Sequence, residues 1–195
     1  MTLIQSFQGS ASDGTALTAV YAEQSASGVA LAIVFPGSEL PRLVYWGRPL
    51  SAPETVIGLY DALRPQRVSG ALDYTAWPSV LPTQSESWIG AKRFEIRRDG
   101  RELFCKFAVT DIKAETVEDG NVYEMTVKNG YPQWNVAPEP KRTPTITATA
   151  EDVEQGVKLI WTCEIDVSGL VRQQATVINT GDGLGMAARA GIPLQ

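Results

Sequence analysis

The sequence predicts an all-β protein, a large antiparallel β-sandwich, from strict apolar and polar alternation in its C-terminal half and from turn-forming dipeptides between short apolar segments. The alternation is clearest over Val157–Val167, where every second residue is apolar and the residues between are mostly charged or polar. A period of two residues is that of a half-buried antiparallel strand. Ser168-Gly169 breaks this pattern and Leu170–Ile178 resumes it. The two segments therefore predict a hairpin.

Two apolar segments nearer the N-terminus predict buried strands. They are Gly28–Phe35 and Leu43–Trp46, and both are rich in β-branched or aromatic residues. Pro36-Gly37 lies between them. Because Gly accepts a positive φ and Pro cannot donate to a strand ladder, this dipeptide is typical of a turn.

The stretch 47–90 does not fit a regular series of strands. It contains five prolines and two tryptophans, with only a weak helical pattern around Glu54–Leu63. A long irregular segment inside a compact domain is usually functional. We therefore expect a proline-rich excursion across one end of the sandwich.

A meander of antiparallel strands is predicted in the middle of the chain. Three dipeptides that favour primed turns separate or follow its segments: Asp99-Gly100, Asp119-Gly120 and Asn129-Gly130. The strands that they punctuate are Phe94–Arg98, Glu102–Thr110 and Val122–Val127. Thr145–Ala150 adds another strand after the proline-rich stretch 137–144. These elements predict one domain over residues 1–181 and a tail or the start of a linker over 182–195.

The chain contains no histidine. This excludes a Ser-His-Asp or Cys-His nucleophile system and a His-containing zinc site. We expect no metal and no cofactor. Cys105 and Cys163 fall in strand-like segments, where a buried free thiol is the usual state, and the alternative is a disulfide between neighbouring strands.

The charge balance limits the partners. The chain has 17 Lys and Arg residues and 22 Asp and Glu residues, which gives a formal net charge of −5. An anionic domain without a basic stripe is poorly suited to a phosphate backbone, so we expect no nucleic acid. The N-terminus lacks signal-peptide features and no apolar run is long enough to span a bilayer. We expect a cytoplasmic protein with no membrane partner.

Several short motifs, read in order, resemble a known family. They are Arg42–Arg48 (RLVYWGR), Gly70–Asp73 (GALD), Ser79–Pro82 (SVLP), Trp88–Gly90 (WIG), Phe94–Arg97 (FEIR) and Ala175–Gly181 (ATVINTG). This order is similar to the N-terminal domain of glycoside hydrolase family 36, the bacterial α-galactosidases. The similarity extends roughly from Tyr21 to Gly181.

The resemblance implies a galactose-mutarotase-like supersandwich that precedes a catalytic (β/α)8 barrel in a longer parent enzyme. That enzyme would be a retaining hydrolase of α-galactosides such as raffinose and melibiose, and both catalytic aspartates would lie on the barrel. This chain is therefore expected to hold no catalytic residue and to hydrolyse nothing alone. Its expected partners are the barrel, a neighbouring subunit of a homo-oligomer and, through that subunit, the sugar.

The resemblance also implies that a loop after Trp46-Gly47 supplies an aspartate to the neighbouring active site. Asp61 and Asp73 are the two candidates, and Asp61 is slightly favoured. A carboxylate suits this task because it accepts paired hydrogen bonds from adjacent hydroxyls. The alternative for Asp61 is a polar position on the outer face of a short helix.

Aromatic residues in the same excursion are further candidates, because a flat ring can stack on the apolar face of a sugar. Trp77 and Trp88 are predicted either to contact the sugar or to pack at a domain interface. Trp46 and Trp161 follow strand patterns and are expected in the core.

A free-standing carbohydrate-binding β-sandwich is the alternative to the enzyme domain, and it predicts sugar binding by the chain alone. A mutarotase shares the resembled architecture but depends on histidines, which this sequence lacks.

Overall fold

The computed structural model of the chain describes residues 2–65, 77–86, 94–118, 121–128, 131–136, 145–181 and 186–190. Its regular elements are one helix and thirteen strands among those residues. In chain order they are β1 (Thr2–Ser10), β2 (Ala16–Gln24), β3 (Val29–Pro36), β4 (Arg42–Gly47), α1 (Val56–Leu63), β5 (Phe94–Arg98), β6 (Arg101–Leu103), β7 (Ala108–Glu118), β8 (Asn121–Lys128), β9 (Tyr131–Val136), β10 (Thr145–Asp152), β11 (Val157–Ile165), β12 (Val171–Asn179) and β13 (Met186–Ala190).

The strands form three sheets. One sheet has four strands in the order β1-β2-β3-β4, and a second has six in the order β12-β11-β10-β7-β8-β9. A smaller sheet has the order β13-β5-β6. Every pairing among the described strands is antiparallel. The predicted all-β antiparallel sandwich is confirmed.

The main core lies between the four-stranded and six-stranded sheets. β10 and β11 alternate between buried and half-buried residues along their whole length, as the sequence predicts. Trp161 is 1% exposed and pairs across the strands with Ala148, so a large side chain lies beside a small one. The Trp161 indole N–H donates to Gln173 Oε1 at 3.2 Å, which satisfies its polar atom.

The four-stranded sheet is buried on both faces at its centre. Alternate residues of β2 and β3 face the main core, and the residues between them form a second cluster with α1. Two such neighbours are Ile33 in the main core and Ala32 in the second cluster. Covering both faces explains why β3 is continuously apolar rather than alternating. Val56 and Tyr60, four residues apart on α1, are the buried positions of the helix.

Several predicted elements coincide with observed ones, and the predicted turn at Asp99-Gly100 is confirmed. Both residues have positive φ, 50° and 76°, and they join β5 to β6. Cys105 and Cys163 are free and buried, as expected. The predicted turns at Asp119-Gly120 and Asn129-Gly130 lie outside the described residues.

Two sequence expectations need correction, and several strands were not predicted. The predicted strand Glu102–Thr110 is divided by residues 104–107, so Cys105 lies in a loop and not in a strand. Trp46 is 40% exposed and is not a core residue. The sequence also left β1 and β2 unassigned. The predicted tail 182–195 contains β13, which pairs with β5 from Met186 opposite Arg98 to Ala190 opposite Phe94. This short stretch of small residues carries little strand propensity, and its pairing with a sheet edge decides its conformation.

Candidate functional site

The first part of the excursion is fastened to the outer face of the four-stranded sheet. The Leu50 backbone N–H donates to the Tyr21 hydroxyl at 2.9 Å, and the Tyr45 hydroxyl donates to the Arg48 carbonyl at 2.6 Å. Both tyrosines belong to the sheet, on β2 and β4. The Tyr21 hydroxyl in turn donates to Glu23 Oε2 at 3.2 Å, and burial raises the pKa of this phenol. The chain that leaves β4 is therefore tied to the strands before it reaches α1.

Local sequence sets the two ends of α1. Pro53 opens a short 3₁₀ turn before the helix, where its missing N–H costs nothing. The Thr55 hydroxyl donates to the Ala52 carbonyl at 2.7 Å in that turn. At the other end Arg64 has φ −62° and ψ 127°, the extended conformation that Pro65 imposes on the residue before it. The weak helical pattern at Glu54–Leu63 therefore corresponds to a real but short helix.

Asp61 lies on α1 and is bound to the hairpin loop between β1 and β2. Its Oδ2 accepts a hydrogen bond from the Ser12 backbone N–H at 2.8 Å, and its Oδ1 accepts one from the Ser12 hydroxyl at 3.1 Å. Arg64 adds an ion pair with Asp13 of the same loop at 2.5 Å. The hydrogen bond from Arg64 is the largest of the effects that hold the pKa of Asp13 far below its ordinary value. The end of α1 is thus anchored by two neighbouring polar contacts.

Trp77 packs against the same helix. Its ring lies 4.9 Å from the Tyr60 ring, centroid to centroid, at an interplanar angle of 35°. Tyr60 is 7% exposed, and Trp77 is half-buried beside it in the second apolar cluster. Burial is the main reason that the pKa of Tyr60 is raised. One part of Trp77 is therefore used in packing within the chain, and the remainder stays accessible.

The structure brings two of the four predicted site residues to one place. Asp61 and Trp77 meet at α1 through Tyr60, the residue before Asp61 and the stacking partner of Trp77. Asp73 and Trp88 lie outside the described residues.

A polar cluster at the turn between β3 and β4 was missed by sequence reasoning. Glu86 accepts hydrogen bonds from the Ser79 backbone N–H and hydroxyl, both at 2.9 Å. Burial raises the pKa of Glu86, and the bonds from Ser79 and the charge of Arg42 oppose that rise. Arg42 is 8% exposed and donates to the Leu40 carbonyl at 2.6 Å and to Glu39 at 2.8 Å. The sequence signal for this cluster was Arg42, a charged residue at the start of a largely apolar strand.

This cluster borders a cavity of about 140 Å³. Its walls combine acidic, basic and hydroxyl groups with apolar ones: Glu39, Leu40, Arg42, Thr83, Ser85, Glu86, Lys106 and Phe107. The Val80 N–H donates to the Pro41 carbonyl at 2.9 Å, and the Ser85 hydroxyl donates to the Cys105 carbonyl. Residues 79–86 of the excursion are therefore also hydrogen-bonded to the sandwich.

The described residues show neither a metal centre nor a membrane helix. No group of three or more carboxylate or thiol side chains that could hold a metal ion occurs among them. Within the same part of the chain, no helix has the length and apolar character needed to cross a membrane.

Comparison with known proteins identifies the class to which this sandwich and its excursion belong. The model of the glycosyl hydrolase family 36 N-terminal domain matches residues 39–190. The chain therefore belongs to the glycosyl hydrolase family 36 N-terminal domain family.

A solved structure with the same fold is the family 36 α-galactosidase AgaB from Geobacillus stearothermophilus. The two folds agree with a TM-score of 0.52 over 94% of this chain, at 11% sequence identity. This chain spans 24% of that enzyme. No curated protein sequence matches this chain.

Proposed function

We propose that this chain is the non-catalytic N-terminal β-sandwich of a retaining α-galactosidase, one that hydrolyses terminal α-galactosides such as raffinose and melibiose. The observation that carries the proposal is the family match over residues 39–190. The shared fold with an α-galactosidase over 94% of the chain supports it. In this proposal the activity belongs to a longer parent protein and comes from a barrel outside this sequence. The coverage of only 24% of the Geobacillus enzyme supports this.

In this proposal the domain supports the barrel and the oligomer, and its excursion caps a neighbouring active site. The described parts of the excursion support such a role, because they are held on the sandwich by contacts with Tyr21, Tyr45, Ser12 and Pro41. A capping segment needs fixed supports, since a sugar-binding group must be held close to its productive position.

The contacts of Asp61 bear on which aspartate meets the sugar. Both of its carboxylate oxygens accept hydrogen bonds from Ser12, so the carboxylate is fixed on the hairpin loop of its own chain. We therefore assign Asp61 to anchoring and propose Asp73 as the aspartate that reaches the neighbouring site. Trp77 would contribute its accessible part to the same region.

Two variants of the parent enzyme test this assignment on p-nitrophenyl α-galactoside. Asp73→Asn should lower kcat/KM by about tenfold or more, because a charged acceptor for sugar hydroxyls is lost, while leaving the melting temperature unchanged. Asp61→Asn should lower the melting temperature and affect kcat/KM less. The reverse pattern would exchange the two roles.

The 195-residue chain alone should show no turnover of the same substrate. Turnover by the purified chain would contradict the proposal that it is non-catalytic. Light scattering on the parent enzyme, with and without residues 47–90, tests the oligomer: loss of assembly is expected if the excursion reaches a neighbouring subunit.

A further inference from the structure

One arginine lies where the chain passes from the six-stranded sheet to the three-stranded sheet. Arg98 is the last residue of β5, and Ile96 and Phe94, earlier on the same face of that strand, are buried in the main core. The Arg98 Nη2 donates to Asn179 Oδ1 at 2.6 Å and to the Gly156 carbonyl at 2.9 Å. Asn179 ends β12, and Gly156 lies in the turn between β10 and β11. The guanidinium therefore bridges three segments that are distant in sequence.

The residues that follow β12 are held at the same carbonyl. The Thr180 N–H and the Gly181 N–H donate to the Gly156 carbonyl at 2.9 and 3.1 Å. The Gly181 N–H also lies 3.3 Å from Asn179 Oδ1, as a second acceptor. A Cβ on Gly156 would lie 2.7 Å from Gly181 Cα, so the two glycines approach each other backbone to backbone. The position of residues 179–181 is thus fixed before the chain reaches the third sheet.

Arg98 also meets the other end of the connection between β12 and β13. In the pairing of β13 with β5, Met186 lies opposite Arg98. The connection from Asn179 to Met186 therefore begins at the Arg98 side chain and ends at the Arg98 backbone. Bringing two points of a chain together costs conformational entropy. A contact that fixes one end of a connection beside the docking strand lowers this cost for the other end.

The bonding of Arg98 is not that of a charge paired for stability. Both of its acceptors are neutral oxygens, and its Nε is buried without a hydrogen-bond partner among the described residues. A buried donor that stays unpaired costs free energy. The arginine is therefore explained by the three segments that it connects and not by its own burial.

We propose that Arg98, with its acceptors Asn179 and Gly156, is a latch that couples the docking of β13 to the folded six-stranded sheet. β13 pairs only with β5 among the described strands, and three of its five residues are alanine, which has a low strand propensity. Such an element opens locally at a lower cost than the strands of a core. With the latch closed, β13 stays on β5. With the latch broken, β13 leaves β5 while the sandwich remains folded.

The latch has a consequence for a longer parent protein. The family match ends at residue 190, which is the last residue of β13. In the parent enzyme of the proposed function, the latch would be the last fixed point before the chain leaves this domain, and it would set the direction of that exit. This consequence rests on the proposed function, whereas the latch itself does not.

Amide hydrogen exchange of the 195-residue chain, followed by NMR, tests the latch. Arg98→Met keeps an apolar stem on β5 and removes the bonds to Asn179 and Gly156. We expect the protected β13 amides to exchange about tenfold faster or more in this variant, while exchange of the Trp161 amide in β11 changes by less than about threefold. Asn179→Ala removes one acceptor without altering β5, and it should accelerate β13 exchange by a smaller factor. In the double variant the two factors should not multiply, because both changes break the same contact.

Arg97→Met is the matched control. Arg97 is the neighbour of Arg98 on β5, but its side chain is exposed on the opposite face, where its Nε donates to Glu95. This variant loses the same guanidinium from the same strand, and it should leave β13 exchange within about twofold of the wild-type rate.

Four results would overturn the proposal. The first is β13 exchange that is unchanged in Arg98→Met. The second is an equal acceleration of the Trp161 amide, which would mean a general loss of stability. The third is the same acceleration in Arg97→Met, and the fourth is a wild-type chain whose β13 amides have no protection. None of these measurements depends on turnover by the parent enzyme, so the latch and the proposed function can fail separately.

Discussion

The anchoring of α1 by Asp61 gives a prediction whose size can be worked out from the structure. Asp61→Ala removes a hydrogen bond of 2.8 Å from the Ser12 backbone N–H and one of 3.1 Å from the Ser12 hydroxyl. Hydrogen bonds to charged groups contribute about 1.5 to 3 kcal/mol each when solvent does not compete. Both bonds lie at the surface, where water replaces much of each one, so we expect a total loss of about 1 to 1.5 kcal/mol.

For a chain of this length, that loss corresponds to a fall in melting temperature of roughly 2 to 6 °C. Urea unfolding followed by circular dichroism measures the free energy directly. Ser12→Ala removes only the hydroxyl donor and should cost about 0.5 kcal/mol, because the backbone N–H still reaches Asp61. In the double variant, the two losses should be less than additive by a similar amount.

Glu54→Ala is the control for loss of a carboxylate near the same helix. Glu54 is exposed in the 3₁₀ turn before α1, and its removal should change the free energy of unfolding by less than about 0.5 kcal/mol. The reasoning would be refuted if Asp61→Ala were as stable as the wild-type chain, or if its loss were fully additive with that of Ser12→Ala. Either result would remove the reason for assigning Asp61 to anchoring and not to sugar contact.

Three further predictions concern buried or strained positions. Burial raises the pKa of Glu86 above its ordinary value of 4.5, so the native state holds this proton to higher pH than the unfolded state does. The Glu86 carboxyl therefore contributes its full stabilisation below that ordinary value and loses it as pH rises through the raised pKa. Urea unfolding at several pH values should show a smaller fall in the free energy of unfolding for Glu86→Gln than for the wild-type chain. An identical fall in the variant would contradict the assignment. Burial raises the pKa of Cys105 and of Cys163 to about 12, so neither thiol should react with Ellman's reagent at about pH 8 until the chain is unfolded in urea, and rapid native-state labelling would disprove this. Gly156 has φ +59°, and a Cβ there would lie 2.7 Å from a backbone atom, so Gly156→Ala should cost about 2 kcal/mol or more in urea unfolding. Gly14→Ala is the control with φ +85° and open space, and equal losses in the two variants would show that the close contact has no effect.

The local pattern of the chain was sufficient for the C-terminal part of the sandwich. Alternation along Val157–Ile165 identified both the strand and its buried face, because the side chains of a strand point to opposite sides in turn. The turn at Asp99-Gly100 could be predicted for a similar reason, since few residue pairs accept two positive φ angles. These features depend on neighbours in sequence and need no knowledge of the rest of the fold.

Other elements depended on partners that are distant in sequence. β3 is apolar throughout because α1 covers the face that does not meet the main core. β13 forms because β5 offers a free edge more than 80 residues earlier, as the pairing of Met186 with Arg98 shows. Trp46 follows a strand pattern yet is 40% exposed, because it lies near the end of an edge strand.

The sequence by itself determined the all-β class, the buried free thiols and the family resemblance that the match over residues 39–190 confirms. It also indicated a weak helical pattern over Glu54–Leu63, which contains Asp61. Only the tertiary structure decided what Asp61 contacts, because Ser12 lies 49 positions away. Periodicity reports which face of an element is apolar, but the identity of the partner on that face is set by how the elements pack.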